Sequence, residues 1–248
     1  NRITMEYKID FKNFWSDHNK NCNWFTALLD RYNISYVVTE EDPNIIIYGP
    51  FGNGHNSIGD FQAPEDAPRI IYYTAENRRP DPRADLNLTF DHGIEYNNIR
   101  LPYFLTYYAV GYSFYSKDFQ LKKENKEKFC CFVYSNCNWG DNVDNRNKLC
   151  LDLSQYKKVD AGGECLNNVE KNIPLGAGYK IEFQKEYKFC IAYENSLYPG
   201  YTTEKILHAY ESNCIPIYYG SERIAEDFNK ETFINAHDFN SNEELIEY

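Results

Sequence analysis

The chain has 248 residues, enough to bury one large core or two smaller ones. Hydrophobic residues make up 42% of the sequence, which is typical of a globular protein, and no run approaches the roughly 20 apolar residues of a membrane helix. The net charge of −11 argues against a nucleic-acid partner, so an anionic ligand needs a local positive site.

The first half of the chain alternates short apolar segments with few helical ones, which favours an open α/β sheet. Trp24, Phe25, Leu28 and Leu29 recur at helical spacing and predict one helix over residues 24–32. The predicted strands span residues 3–9, 34–38, 44–48, 69–73, 85–90 and 98–101.

The second half repeats this alternation after a segment rich in lysine and glutamate, residues 114–128, which is the best candidate for a linker. Two α/β units joined by a polar linker imply a cleft between them, and ligand sites are common at such interfaces. The predicted strands are 130–134, 158–163, 189–193, 215–219 and 233–235, and the predicted helices are 144–156, 179–187, one from about 202 and one from 243.

The eight cysteines form no CxxC pair and do not cluster with the five histidines, so we expect no metal site. Cys190 and Cys214 lie in apolar strand contexts, where buried free thiols are common. An even count permits disulfides, but a chain of this length does not need them, and we expect a reducing compartment. The glycosylation sequons at Asn33 and Asn87 matter only if that expectation is wrong.

Residues 189–219 read as strand, helix and strand, which is one βαβ crossover. Thr202 or Thr203 is expected to cap the helix. The loop at the carboxyl end of such a strand, leading into a helix, is where α/β proteins bind nucleotides and anions.

That loop ends in a group of polar side chains suited to a nucleotide. Lys205 lies in the first helical turn, where a cation opposes the helix dipole unless a bound anion compensates it, so Lys205 is a candidate phosphate contact. Glu204 is suited to ribose hydroxyls, and Asn195 and Tyr201 to hydrogen bonding or stacking. An ordinary surface helix with a Glu-Lys pair would give the same pattern.

Two further candidates follow other predicted strands. Arg146 begins the helix after strand 130–134, and with Lys205 it would place two cations where a diphosphate leaving group develops charge. Glu76 lies just past strand 69–73, where a carboxylate is placed for general-base work. A solvated surface side chain remains the alternative for each of them.

Together these residues resemble the α1,3/1,4-fucosyltransferase family. The signature region carries Tyr193-Glu-Asn-Ser196, Tyr201-Thr-Thr-Glu-Lys205 and Ile215-Pro-Ile-Tyr-Tyr-Gly220 at the family's spacing. Residues 73–77, 101–103 and 233–239 are similar to further family segments. The likeness covers the chain well from residue 69 onward and only loosely before it.

The resemblance implies a GT-B fold of two Rossmann-like α/β domains, at residues 1–116 and 117–248, with a cleft between them. The second domain would bind GDP-fucose, and the first would bind a glycan acceptor that receives fucose on O3 of GlcNAc or Glc with inversion. The family needs no cofactor or metal for chemistry, although Mn²⁺ or Mg²⁺ stimulates some members. The implied diphosphate contacts are Arg146 and Lys205, the ribose contact is Glu204, the other donor contacts are Asn195 and Tyr201, and the catalytic base is Glu76.

The chain also departs from the animal members of the family, because it lacks their C-terminal CxxC, stem and membrane anchor. We therefore expect a bacterial-type or viral form that is cytoplasmic and touches membranes only through segments absent from this chain. A lumenal or secreted protein is the alternative if a leader or anchor was removed. Two other functions stay open, namely a GT-B transferase using another nucleotide sugar and a non-catalytic sugar-binding protein with this fold.

Overall fold

The computed structural model describes residues 6–51, 69–109 and 125–248. It divides into two compact units, Asn1–Ser113 and Phe114–Tyr248. The boundary predicted after residue 116, and most of the predicted linker, lie in residues 110–124, outside the described part. Within the described residues each unit contains one parallel sheet, and no helix is long and apolar enough to cross a bilayer.

The first unit is built on a parallel sheet with strand order β2-β1-β3-β4-β5-β6. The chain passes from β1 to β2 on one side of β1 and then from β2 to β3 on the other side, which defines a topological switch point between β1 and β3. The strands are β1 (Tyr7–Lys12), β2 (Tyr36–Val38), β3 (Ile45–Tyr48), β4 (Ile70–Tyr73), β5 (Leu86–Thr89) and β6 (Asn98–Arg100), and the helices are α1 (Trp24–Arg31) and α2 (Tyr103–Ala109).

Local sequence explains the main elements of this unit. The isoleucine run of β3 is almost fully buried at Ile46 and Ile47, as expected for a strand covered on both faces. Asn23 caps α1, because its side-chain oxygen accepts the backbone N–H groups of Phe25 and Thr26 at 3.0 and 3.2 Å. The predicted strands and α1 are confirmed with shifted ends, whereas α2 was not predicted.

The second unit has a five-stranded parallel sheet of order β11-β10-β9-β7-β8. Its switch point lies between β7 and β9, the arrangement of flavodoxin-like sheets. The strands are β7 (Lys128–Phe132), β8 (Val159–Ala161), β9 (Tyr187–Tyr193), β10 (Ile215–Tyr219) and β11 (Ile234–Asn235), and the helices are α3 (Val143–Tyr156), α4 (Ala177–Gln184), α5 (Lys205–Glu211) and α6 (Asn242–Glu247).

The predicted βαβ crossover is confirmed, since β9 pairs with β10 in parallel and α5 packs against both strands. Its predicted cap is wrong. The N-cap position of α5 is Glu204, and the side chain of Thr203 donates instead to the buried carboxylate of Glu194. The predicted helix 179–187 also runs too far, because Tyr187 is a buried residue of β9.

Cys137 and Cys165 form a disulfide, with their Cα atoms 5.2 Å apart. It joins the loops that follow β7 and β8, which the sheet brings together although 28 positions separate the two cysteines. The even cysteine count permitted such a pair although a chain of this length does not need one, and the compartment stays a prediction. The buried free thiols expected at Cys190 and Cys214 are confirmed.

Candidate active site

A cavity of about 350 Å³ lies in the second unit, at the carboxyl ends of β7, β8 and β9. Open α/β sheets bind their ligands outside the carboxyl ends of the strands at the switch point, and this cavity occupies that position. Its lining includes the charged side chains of Arg146, Lys180, Glu204 and Lys205, which come from α3, α4 and the start of α5. We call it the switch-point cavity.

Lys205 is the first residue of α5 and is held by buried acceptors. Its Nζ lies 3.1 Å from Oε2 of Glu194 and donates to Oγ1 of Thr203 at 2.8 Å. Glu194 has no exposed side-chain surface and also accepts the backbone N–H of Thr203 at 2.8 Å. Burial acts to lower the pKa of Lys205, but the carboxylates of Glu194 and Glu204 raise it above its ordinary value, so the ammonium group stays charged.

Glu204 presents an ionised carboxylate to the same cavity, with its Oε1 3.7 Å from Nζ of Lys205. Burial acts to raise the pKa of Glu204, but the positive charges of Lys205, His208 and Lys180 lower it to about 2. An ionised carboxylate accepts hydrogen bonds only, which suits ligand hydroxyl groups.

Arg146 is 1% exposed and lies in the second turn of α3. Its guanidinium carbon sits 3.9 Å from the ring centroid of Tyr134, and its Nη2 donates to the carbonyl of Asn136. Its Nε is buried without a hydrogen-bond partner in the protein. Burial lowers the pKa of Arg146 below its ordinary value, yet a guanidinium stays protonated at any physiological pH. A fixed, charged fork with an unused N–H is suited to a phosphate group.

Lys180 is a third cation of the switch-point cavity, and sequence reasoning missed it. Its Nζ lies 5.6 Å from the ring centroid of Tyr134, the ring on which Arg146 stacks. Burial lowers the pKa of Lys180, and the charge of Lys205 acts in the same direction. Only tertiary packing turns this face of α4 toward the cavity, so no local pattern marked the residue.

Asn195 lines the cavity, and Tyr201 is hydrogen-bonded to it. Tyr201 is buried, and its hydroxyl donates to Oδ1 of Asn195 at 3.0 Å. The carbonyl of Asn195 accepts the backbone N–H of Asn142, also at 3.0 Å. Gly140, with a φ of +123°, packs so close that a Cβ there would lie 2.1 Å from the Asn195 carbonyl oxygen. The turn therefore requires glycine and fixes the position of Asn195.

Glu76 lies in the first unit, directly after β4, as the sequence predicted. The turn is closed by Thr74, whose hydroxyl accepts the N–H of Glu76 and donates to its carbonyl, both at 3.0 Å. The indole N–H of Trp15 donates to Oε1 of Glu76 at 3.3 Å. The half-buried carboxylate is thus oriented by a neighbour from the loop after β1.

The described residues contain no group of three or more His, Cys, Asp or Glu side chains arranged to hold a metal ion. The charged side chains that line the switch-point cavity are the cations Arg146, Lys180 and Lys205 and the carboxylates Glu164 and Glu204, with the buried Glu194 beside Lys205.

Two family models match the chain. Residues 123–248 match the C-terminal model of glycosyltransferase family 10 (fucosyltransferase), and residues 9–107 match the N-terminal domain of the alpha-(1,3)-fucosyltransferase FucT. The chain belongs to glycosyltransferase family 10. The resemblance drawn from the signature region is confirmed, and it extends over residues 9–68, where the motifs were weakest.

Individual relatives agree with this assignment. The alpha-(1,3)-fucosyltransferase FucT of Helicobacter pylori is 31% identical over 280 aligned positions, which cover 97% of this chain and 56% of the relative. The chain thus spans little more than half the length of this family 10 relative.

Solved structures give the fold. A crystal structure of an alpha1,3-fucosyltransferase with GDP-fucose matches with a TM-score of 0.73 and 28% identity, covering 98% of this chain and 77% of that one. A second, with GDP, matches with a TM-score of 0.75 and 27% identity, covering 100% and 78%. The two parallel α/β sheets are those of the GT-B fold, as the resemblance implied.

Proposed function

We propose that this family 10 protein is an inverting fucosyltransferase, which moves L-fucose from GDP-fucose to O3 of GlcNAc or Glc in a glycan acceptor. One observation carries the proposal. At the switch point, the second unit gathers Arg146, Lys180 and Lys205 around one cavity beside the ionised Glu204, in a chain with a net charge of −11. Similar structures hold GDP-fucose or GDP.

The three cations suit a diphosphate. The guanidinium of Arg146 offers directed N–H donors, and the ammonium groups of Lys180 and Lys205 act as point charges. As the bond between fucose and GDP breaks, negative charge develops on the β-phosphate oxygens, and cations already fixed in place stabilise it without reorganisation.

The remaining polar groups suit the rest of the donor. Glu204 would accept hydrogen bonds from the ribose hydroxyls, since its carboxylate is ionised and beside the cations. Asn195 would contact the donor directly, and Tyr201 would act through Asn195, because its hydroxyl is already bonded to that amide.

The transfer is a single displacement. Glu76 removes the proton of the acceptor hydroxyl while that oxygen forms a bond to the anomeric carbon of fucose. The bond from the anomeric carbon to the β-phosphate oxygen breaks, GDP leaves from the opposite face, and the configuration inverts. Charge stabilisation is assigned to side chains, so we propose that transfer persists in EDTA and that Mn²⁺ or Mg²⁺ at most stimulates it.

Glu76→Gln tests the assigned base. The variant should bind GDP-fucose in calorimetry as the wild type does, while transfer to type 1 lactosamine, type 2 lactosamine and chitobiose glycans falls by about 10²–10⁴. Glu41→Gln, at an exposed glutamate of the same unit, is the matched control.

The outcomes separate the alternatives. A Glu76→Gln protein that transfers fucose at the wild-type rate would show that another group is the base. A wild-type protein that binds GDP-fucose but neither transfers nor hydrolyses it would instead be a non-catalytic sugar-binding protein with this fold.

A further inference from the structure

The first unit contains a cavity of its own, about 310 Å³ in volume, which we call the aromatic cavity. It lies at the carboxyl edge of the first sheet, between the loop after β1, the end of β4 and one face of α2. Ligand pockets begin at roughly this size, around 300 Å³, and open α/β sheets bind ligands at this edge. Its aromatic walls are Phe14, Trp15, Trp24, Tyr73, Tyr103 and Tyr107.

We propose that the aromatic cavity is the subsite for a sugar ring of the acceptor glycan, and that Trp15 is the residue that positions Glu76 against it. The proposal rests on the fucosyltransferase function argued above and names the part of the chain that would hold the second substrate. It depends on one juxtaposition, because the same indole lines the cavity and bonds the candidate base.

The geometry of Trp15 supplies the link to the chemistry. Its ring contacts Phe51 edge-on with centroids 5.0 Å apart, and its N–H donates to Oε1 of Glu76 at 3.3 Å. Trp15 thus joins the cavity, which it lines, to the carboxylate that we assign as the base. Oε1 is held by the indole, so Oε2 is the oxygen we assign to the acceptor hydroxyl.

The opposite wall comes from α2. Tyr103 and Tyr107 are four residues apart, which places them on one helix face, and their ring centroids are 6.0 Å apart. Aromatic rings can stack on the apolar C–H faces of a pyranose, while the hydroxyl groups of the sugar remain available for hydrogen bonds.

His18 adds a polar group to the aromatic lining. Its ring stacks on Phe14 with centroids 4.1 Å apart, and its Nε2 is buried without a hydrogen-bond partner in the protein. Burial lowers the pKa of His18, so the imidazole is neutral and can bond a hydroxyl. An unpaired buried polar atom destabilises the protein, and a hydrogen bond to a sugar hydroxyl would relieve that cost.

Two variants test the proposal through different kinetic parameters, measured with the best acceptor of the three-glycan panel. Tyr107→Ala should raise the acceptor KM about tenfold, the effect of roughly 1.4 kcal/mol of binding. Trp15→Phe keeps an aromatic ring but removes the N–H, and it should lower kcat roughly tenfold with the acceptor KM nearly unchanged. Tyr32→Ala, at a tyrosine 67% exposed in the same unit, should change neither.

A binding measurement adds a readout that does not depend on turnover. In saturation-transfer NMR with type 2 lactosamine, irradiation of the aromatic protons should transfer strongly to the sugar C–H protons of wild type and Tyr32→Ala, and weakly in Tyr107→Ala. Equal transfer in all three proteins would overturn the proposal, even if the Trp15 variant proved unstable.

Failure of the inference and failure of the function can be distinguished. In one outcome the wild type binds GDP-fucose and fucosylates a panel glycan, but KM is unchanged in Tyr107→Ala and kcat is unchanged in Trp15→Phe. That outcome overturns the acceptor role of the aromatic cavity and leaves the proposed function standing. A wild-type protein that binds no GDP-fucose, or fucosylates no panel glycan, overturns the proposed function and this inference with it.

Discussion

Glu194 organises the start of α5 from a fully buried position. Its carboxylate accepts both the N–H and the hydroxyl of Thr203, at 2.8 and 2.7 Å, and pairs with Lys205. The glutamate of the Tyr-Glu-Asn-Ser motif therefore holds Lys205 and Thr203 in place and exposes none of its own side chain. This role was not visible in the sequence, where Thr203 looked like a helix cap.

Removing the charge of Glu194 should destabilise the fold. Glu194→Gln leaves the ammonium of Lys205, whose side chain is 14% exposed, without its nearest buried carboxylate. Breaking such a pair typically costs about 3–5 kcal/mol. We expect a value near the lower end in urea unfolding, since Lys205 keeps Glu204 as a second partner.

Glu186→Gln is the matched control, because Glu186 pairs with Lys128 on the surface of the same unit. Exposed pairs contribute about 0–1 kcal/mol, so this variant should unfold almost like the wild type. If both variants lost the same free energy of unfolding, Glu194 would not be the organising residue.

Lys180, which sequence reasoning did not single out, can be tested by mutation. Lys180→Ala removes a cation from the switch-point cavity and should weaken GDP binding by roughly 10–100-fold, the effect expected from losing one hydrogen bond to a charged group. Calorimetry against Lys188→Ala, an exposed lysine of β9, measures the difference at equal change in net charge. Identical affinities would place Lys180 outside the donor site.

The lowered pKa of Glu204 makes its contribution to the free energy of unfolding depend on pH. Its folded-state pKa is about 2, against an unfolded value of about 4.3, so its contribution to stability is complete above pH 4.3 and disappears as the pH falls through 2. The unfolding free energy of wild type relative to Glu204→Gln should be constant from neutral pH to about pH 5 and shrink below it. A difference that grew on acidification would contradict the pairing with Lys205.

At the scale of elements, the disulfide ties the two loops that form one side of the switch-point cavity. Asn136 and Glu164 line the cavity, and each precedes one of the bonded cysteines, Cys137 and Cys165. The carbonyl of Asn136 also accepts from Arg146. The bond therefore holds the loop on which the guanidinium depends.

Replacing both bonded cysteines by serine should loosen that loop. A disulfide typically contributes about 2–4 kcal/mol, so the variant should unfold at lower Tm. We also expect weaker GDP binding, because the partner of Arg146 becomes mobile. Cys22→Ser, at an exposed free cysteine of the first unit, is the control. If the double variant bound GDP with wild-type affinity, the disulfide would have no effect on the site.

The elements that the sequence predicted well are those with strong local patterns. The isoleucine run of β3 and the apolar run of β9 predict buried strands, because a continuous apolar segment is stable only when both faces of the strand are covered. Helix α2 and the true end of α4 were missed, since their lengths depend on what they pack against. The disulfide was missed because sheet topology, and not sequence spacing, brings Cys137 to Cys165.

For the molecule as a whole, the order of the motifs identified the family. Charge and hydrophobic periodicity alone left a plain surface side chain as the alternative for each candidate site residue. The family models and the solved structures show glycosyltransferase family 10 and the GT-B fold. Arg146, Asn195, Glu204 and Lys205 lie together on one cavity, although 59 positions separate the first from the last. Lys180 was identified as a cavity residue only from the tertiary structure, because the family motifs lie on either side of it in the sequence and do not include it.

The most direct test of the account is calorimetric titration of GDP-fucose into the wild type, Lys205→Ala and Lys188→Ala, with GDP-mannose and a UDP-sugar as comparison ligands. We predict saturable binding of GDP-fucose to the wild type and to Lys188→Ala, weaker binding of GDP-mannose, and none of the UDP-sugar. Lys205→Ala should lose at least about tenfold in affinity, which is 1.4 kcal/mol. Unchanged affinity in Lys205→Ala, or equal affinity of the wild type for the UDP-sugar, would contradict a GDP-fucose site at the switch-point cavity.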